Sequence, residues 1–426
     1  MRKFLCLLTV ALSTSLCYGE PLQIIIDDPD GSAAITGSPK STTVDLKDLK
    51  DVSVSNAGMQ LTEVTAGVSD AKPIPAQFEP QSKGGTRGKL WWLMPPGPKG
   101  KRVFRLDIAK TPATEKMTAS FDAKTKYVDV SDGGKPVFRY NQGTVPPPPE
   151  IVERFEKKHN PPWYYARGDY IHPVYGPDGE QLTDDYSINH PHHRGCFWSW
   201  PVLRWNDEVR DIWAVRVKKD QPGGAWARPV AMRRVQSGPV MALIDAENVW
   251  KWGDKDQIVR EEVVIRTFRA SEKTRLIDIT VTLTALVDGV SIGGRPGPGY
   301  GGFTFRTFPK FDQRKIDLRI DPTGADPQVA WFHLTGNFPG GKGPAGVAVL
   351  QHAENRDYPH CPDAAKVDGV AKKYPPWRTI TTGFPGNREV ALPKGKPLVL
   401  KYRLWIHPGL SDEQTLNNLW RAYQQE

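Results

Sequence analysis

Four of the nine histidines, His172, His190, His192 and His193, fall within 22 residues of a 426-residue chain. Imidazole acts as acid, base or metal ligand near neutral pH, so this crowding directs attention to the stretch IHPVYGPDGEQLTDDYSINHPHHRGCFWSW, 171–200. On extended backbone His190 and His192 would share one face and His193 the other. Three readings are open. In the first, His190 and His192 donate two nitrogens to a divalent metal such as zinc or copper, and His172, Asp184 or Asp185 adds a third ligand. Against it, no second well-spaced ligand pair is visible and Pro191 constrains the backbone. In the second, the histidines act without metal as acid and base while Arg194 steadies developing negative charge. In the third, they tie loops together.

Trp198 and Trp200 would share a strand face, where flat rings could stack on the C–H faces of a sugar or fill a core. With 14 tryptophans in the chain, core packing is the commoner fate of any one of them. Two later segments could join the site. Tyr300 stands in a glycine-rich turn, 299–302, ahead of a short strand carrying Arg306, which could bind a carboxylate or a hydroxyl array. This is not a phosphate loop, because no Lys-Ser/Thr follows it. The segment Gln351-His352-Ala353-Glu354-Asn355 closes an apolar run; His352 is a candidate acid or base, Asn355 a ligand contact and Glu354 a weaker base.

The elements that must position these residues read as strands. Thirty-nine glycines and thirty-nine prolines punctuate short alternating segments. From Leu276 to Ala285 apolar residues recur every second position, as they do from Leu398 to Ile406; Gly346–His352 and Lys315–Ile320 look similar. Helical spacing is confined to Glu150–His159 and to the C-terminus, where Ser411 and Gln414 suggest a capping box ahead of Leu416, Leu419, Trp420 and Tyr423. The expectation is an all-β protein: a small N-terminal β domain over 20–125, a larger β-sandwich over 126–426 and a C-terminal helix.

Arg2 and Lys3 precede an apolar run from Phe4 to Leu16, and Gly19 offers a cleavage point. Residues 1–19 are therefore expected to be a signal peptide that sends the chain to the periplasm or outside the cell. No second apolar stretch approaches the roughly 20 residues that cross a bilayer, so no membrane insertion of the mature chain is expected. Cys6 and Cys17 leave with the leader; Cys196 and Cys361 remain, enough for one disulfide at most. The chain carries 57 Lys and Arg against 48 Asp and Glu. These charges are interspersed, which argues against nucleic acid and is compatible with an acidic polysaccharide.

The run from His172-Pro173 through Leu182-Thr183-Asp184-Asp185-Tyr186 to His190-Pro191-His192-His193-Arg194-Gly195 resembles the signature of a bacterial family labelled "methane oxygenase PmoA", otherwise a domain of unknown function. Tyr300-Gly301-Gly302-Phe303 with Arg306, Gln351-His352 with Asn355, and Tyr402-Arg403-Leu404 with His407 follow in that family's order. The resemblance spans residues 127–426. It departs from the pattern at Asn189, where Asp is common, and at Ala353-Glu354. It implies a supersandwich of the galactose-mutarotase kind and an association with sugar catabolism, not membrane-bound copper chemistry. On that basis the expected function is acid/base action on a sugar or glycoside by epimerisation or mutarotation, hydrolysis or elimination. A non-catalytic glycan-binding protein and a metal-dependent enzyme are the alternatives.

Overall fold

A computed structural model of the chain describes residues 22–27, 37–47, 58–68, 71–109, 113–114, 116–156, 166–187, 190–215, 224–271, 273–308, 312–320, 330–360 and 379–426. The expected leader and Cys361 lie outside them.

Six antiparallel strands form the N-terminal unit: β1 (Gln23–Ile26), β2 (Pro39–Asp45), β3 (Gly58–Glu63), β4 (Ile74–Pro80), β5 (Arg87–Leu93) and β6 (Arg102–Ala109). Their order is β1-β6-β3-β4-β5-β2. Alternate side chains such as Ile24, Ile26, Leu61, Leu90 and Phe104 close one small core. The next strand, β7 (Met117–Asp122), pairs with β8 (Tyr127–Asp132) in a different sheet. Sheet membership thus changes between Ala109 and Met117, earlier than the expected boundary at 125.

The larger unit is an antiparallel β-sandwich. One sheet has seven strands: β7, β8, β9 (Lys135–Asn141), β10 (Tyr170–Val174), β13 (Cys196–Ser199), β21 (Gly302–Arg306) and β25 (Thr379–Thr381). They run in the order β25-β21-β13-β10-β9-β8-β7. The other has eight: β16 (Ala225–Gln236), β17 (Met241–Trp252), β18 (Asp256–Phe268), β19 (Arg275–Ala285), β22 (Asp312–Ile320), β23 (Ala330–Asn337), β24 (Pro344–Gln351) and β27 (Pro397–Pro408). Their order is β16-β17-β18-β19-β27-β24-β23-β22.

Period-two patterning sets the inner faces. In β19, Ile277, Ile279, Val281 and Leu283 are fully buried, whereas Asp278, Thr280 and Thr282 between them are half-buried. These residues, with Leu400, Leu404 and Ile406 of β27, join Val128, Tyr140, Cys196 and Phe305 of the facing sheet in one core. Each such side chain contributes roughly 1.5–3 kcal/mol on leaving water. A four-stranded sheet, β15 (Glu208–Arg210), β14 (Val202–Trp205), β20 (Val290–Gly293) and β26 (Glu389–Leu392), lies beside the sandwich. A two-stranded ribbon, β11 (Asp185–Ser187) with β12 (His190–Arg194), carries the histidines.

Among the described residues helices are few, as expected of an all-β chain: α1 (Pro149–Glu156) follows the proline run, and α2 (Glu413–Tyr423) closes the chain. Asp412, not Ser411, caps α2, its carboxylate accepting from the Thr415 amide at 2.7 Å. A carboxylate next to the helix start captures the free amides and favours the positive end of the helix dipole.

Candidate functional site

Three chain segments meet at Gly195. Its amide donates to the Asp184 carbonyl at 2.7 Å, its carbonyl accepts from the Arg306 amide at 2.7 Å, and the Asp184 amide donates to the Arg306 carbonyl at 3.1 Å. Gly195 has φ of 49°, and a Cβ there would stand 2.1 Å from the Ile171 carbonyl oxygen and 2.7 Å from His172 Cβ. Only glycine lets the ribbon pass so close under His172. This junction brings together the ribbon, β10 and the end of β21, and so gathers His172, the 190–194 cluster and Arg306.

Arg194 is fully buried. Its Nε binds Asp185, its Nη2 reaches the Tyr170 hydroxyl and, at 3.2 Å, Asp185 Oδ2. The guanidinium carbon sits 3.5 Å from the centre of the Tyr186 ring and 4.5 Å from that of Tyr170. Burial opposes the charge, but Tyr170, Asp185 and Tyr186 hold it above its ordinary value. Tyr186 is anchored in turn by its hydroxyl, which donates to the Val145 carbonyl at 2.7 Å.

His172 Nδ1 lies 3.0 Å from the Thr183 hydroxyl, which accepts from the Val174 amide at 2.9 Å. With its oxygen already accepting, the buried hydroxyl satisfies its own proton by donating to Nδ1. That assignment puts the imidazole proton on Nε2. Burial drives the His172 pKa down to about 4; the Asp185 carboxylate opposes this and Arg194 adds to it. Burial also holds His193 well below its ordinary value, reinforced by His192, Arg306, His190 and Arg167. Both rings are neutral at physiological pH. The rings of His190, His192 and His193 cluster, with centroids 4.4–5.8 Å apart. His193 is therefore not segregated on an opposite face. A two-stranded ribbon twists strongly, and the register slips between Asp185 and Ser187, so simple alternation fails there.

Beyond His193 lies a group absent from the sequence-based candidates. The Trp213 ring meets His193 edge-on at 5.6 Å, Phe197 at 4.9 Å and Tyr300 at 5.4 Å. Arg167 donates from Nη1 to the Trp213 carbonyl at 3.2 Å and lies 5.0 Å from the Phe197 ring. Burial pushes the Arg167 pKa down to about 10, with Arg194 adding to the effect and Asp169 opposing it. Tyr300, a candidate from the sequence, joins this group; the strand-ending Arg306 lies 3.8 Å from Asp184. Arg167 stands before β10 next to a short run outside the described residues, and Trp213 is one tryptophan among many. No local spacing pointed to either.

Trp198 and Trp200 lie inside the sandwich, not on a surface platform. Trp198 Nε1 donates to Glu261 at 2.7 Å and Trp200 Nε1 to the Phe384 carbonyl at 3.0 Å. Glu261 also accepts from Trp250 at 2.9 Å, and burial beside Asp169 holds its carboxyl well above its ordinary value. Burial raises Asp169 as well, and it accepts from Tyr140 at 2.8 Å and Asn248 at 2.9 Å.

His352, Glu354 and Asn355 bind elsewhere. The His352 ring meets Tyr423 edge-on at 5.0 Å, and its Nδ1 accepts from the Glu354 amide at 3.2 Å. Glu354 pairs with Lys401, and Asn355 bonds both backbone groups of that lysine, at 2.7 and 2.9 Å. These contacts fasten a loop to β27 and α2. Cys196 is buried with a free thiol.

The gathered site therefore combines neutral imidazoles, buried guanidinium groups and aromatic rings. It can accept or donate protons and stabilise negative charge next to apolar surface. Asp185 is engaged by Arg194 and His172 Nδ1 by Thr183. Among the described residues, no three His, Cys, Asp or Glu side chains are grouped to hold a metal ion. No curated protein matches the chain. Residues 127–421, which hold the whole of this site, match one described family, and the chain belongs to it: DUF6807, a family of unknown function.

Proposed function

We propose that the chain is an exported carbohydrate-active protein that moves protons on a sugar or glycoside by histidine acid/base chemistry. One observation carries this reading: burial keeps His172 and His193 neutral beside Arg167, Arg194 and Arg306, whose side chains are themselves almost wholly buried. A neutral imidazole takes a proton without first giving one up. His193 is suited to take a proton from the sugar and, as imidazolium, to return it, while neutral His172, with its proton on Nε2, hydrogen-bonds a sugar oxygen. Arg306 and Arg167 supply the positive field that favours the oxyanion of a ring-opened or enolised sugar. Mutarotation or epimerisation fits this set best, because among the described residues the site is gathered around imidazoles and guanidinium groups, with Asp185 held by Arg194, and not around a pair of carboxylates as in glycoside hydrolysis. The apolar leader over 1–19 and the β-sandwich support an extracytoplasmic protein of the galactose-mutarotase kind.

The test is proton exchange. Purified protein is incubated in heavy water with a panel of mono- and oligosaccharides, and anomeric and ring C–H signals are followed by NMR. His193→Ala and His172→Phe are each expected to slow the reaction about 100-fold or more. Turnover that survives both substitutions would sink the assignment. Sugar binding without turnover in the wild type would instead make this a glycan-binding protein. Stoichiometric metal, lost together with activity on chelation, would make it a metal-dependent enzyme.

A further inference from the structure

Buried polar atoms almost always find hydrogen-bond partners, so a concentration of exceptions marks a place prepared for something else. Three occur side by side at the inner end of the site. Arg167 Nε, Trp213 Nε1 and His193 Nδ1 are all enclosed, and none has a partner among the described residues. The residues touch: Arg167 holds the Trp213 carbonyl, and His193 lies edge-on to the Trp213 ring. Arg167 is 5% exposed and Trp213 3%, so neither atom is served by bulk water. Two of the three atoms can only donate, and the third can donate as one tautomer.

Charge points the same way. Among the described residues Arg167 has no carboxylate within ion-pair distance, whereas buried Arg102, Arg194 and Arg403 each have one. The carboxylate that opposes its loss of charge, Asp169, accepts from Tyr140 and Asn248. A dehydrated guanidinium with an idle N–H, an indole N–H and an imidazole nitrogen are groups that pair with an oxyanion. Beside them the Trp213 ring meets the half-buried Tyr300 ring at 5.4 Å, and Tyr300 offers a flat apolar surface of the kind a pyranose C–H face requires.

We propose that Arg167, Trp213 and His193 form a subsite for the negatively charged group of an acidic saccharide, a carboxylate or a sulfate ester. This deepens the saccharide reading of the site and rests on it. The anion would take the idle donors, while the neutral part of the ring extends toward His172 and Arg306. An excess of basic over acidic residues in the chain suits an acidic saccharide as ligand.

Calorimetric titration of the full-length protein tests this with three probes: methyl glucoside, methyl glucuronoside and glucose 6-sulfate. At least one acidic probe is expected to bind about tenfold more tightly than the neutral one, as one charge-assisted hydrogen bond gives. The tighter of the two names the source of the anion. Trp213→Phe keeps an aromatic ring but removes the indole N–H together with its five-membered ring; Arg167→Gln removes the charge. Each is expected to erase most of the preference, read as the ratio of acidic to neutral affinity within the same variant. If Arg167→Gln fails to fold, Trp213→Phe alone decides. Equal affinity for neutral and acidic probes would overturn the subsite and leave the saccharide site standing; binding of no probe would remove both. A preference unchanged in both variants would assign those atoms to buried water and also overturn the proposal.

Discussion

A guanidinium taken wholly out of water needs an anion and flat neighbours, and Arg194 has both in Asp185, Tyr170 and Tyr186. With Nε and Nη2 held by these groups, it braces the histidine ribbon. Arg194→Met would leave Asp185 half-buried without its cation, at a cost of about 3 kcal/mol in urea unfolding. Arg194→Lys should recover little of it, because an ammonium cannot fork between Asp185 and Tyr170 while lying flat on Tyr186. A loss under about 0.5 kcal/mol in the Met variant would show that the brace carries no weight. Gly195 is the other single-residue constraint. Its left-handed backbone and the 2.1 Å approach to the Ile171 carbonyl leave no room for a methyl group. Gly195→Ala is expected to lower stability by more than the roughly 1–2 kcal/mol of the strained backbone alone. The His172 ring should move with it, visible as a shifted imidazole resonance. An unchanged spectrum would mean that the junction does not position His172.

At the level of elements, period-two strands were legible because one face is buried and the other is wet. The Leu276–Ala285 pattern became β19, and Leu398–Ile406 became the middle of β27. The same rule failed in the ribbon, where twist and a register slip bring His193 back to His190 and His192. It was also blind to what a buried aromatic strand faces. Trp198 and Trp200 share a pattern with a sugar platform, and only the facing sheet, with Glu261, shows them to be interior. Arg167 and Trp213 were illegible because they meet through tertiary contact. The α2 boundary shows how a one-residue ambiguity resolves: Ser411 and Asp412 both favour an N-cap, and the geometry selects Asp412. Asp412→Ala is expected to cost about 1 kcal/mol in thermal unfolding and Ser411→Ala close to nothing. The reverse order would place the cap at Ser411.

Across the whole molecule a buried carboxylate helps join the two units, beside an apolar cluster of Trp91 with Met241 and Phe268. Glu79 of β4 accepts from Trp91 at 2.8 Å and from Arg266 of β18 and Arg234 of β16 at 2.7 and 3.1 Å. Gln77 adds bonds to the amides of Val240 and Met241, so the N-terminal sheet rides on the eight-stranded sheet. The assembled fold also buries histidines far apart in neutral form. Burial lowers His172, His352 and His407 each from 6.5 to about 4. Above pH 6.5 both folded and unfolded states hold these rings neutral, and their full contribution to stability is present. Between about 6.5 and 4 the unfolded chain takes up protons that the folded one refuses, so stability falls with pH, each ring accounting for on the order of 3 kcal/mol. Glu261 works in the opposite sense: its raised carboxyl favours the fold below its unfolded value near 4.5 and loses that advantage as pH rises. The histidine part is isolated by substitution. His352 is the least constrained of the three, facing Lys401, Glu354, Arg403, Asp278 and the Tyr423 ring. His352→Gln should remove one proton from the unfolding linkage. The slope of stability against pH would then flatten by about 1.4 kcal/mol per unit between pH 4.5 and 6. Parallel curves for wild type and variant would mean that His352 titrates normally in the folded protein.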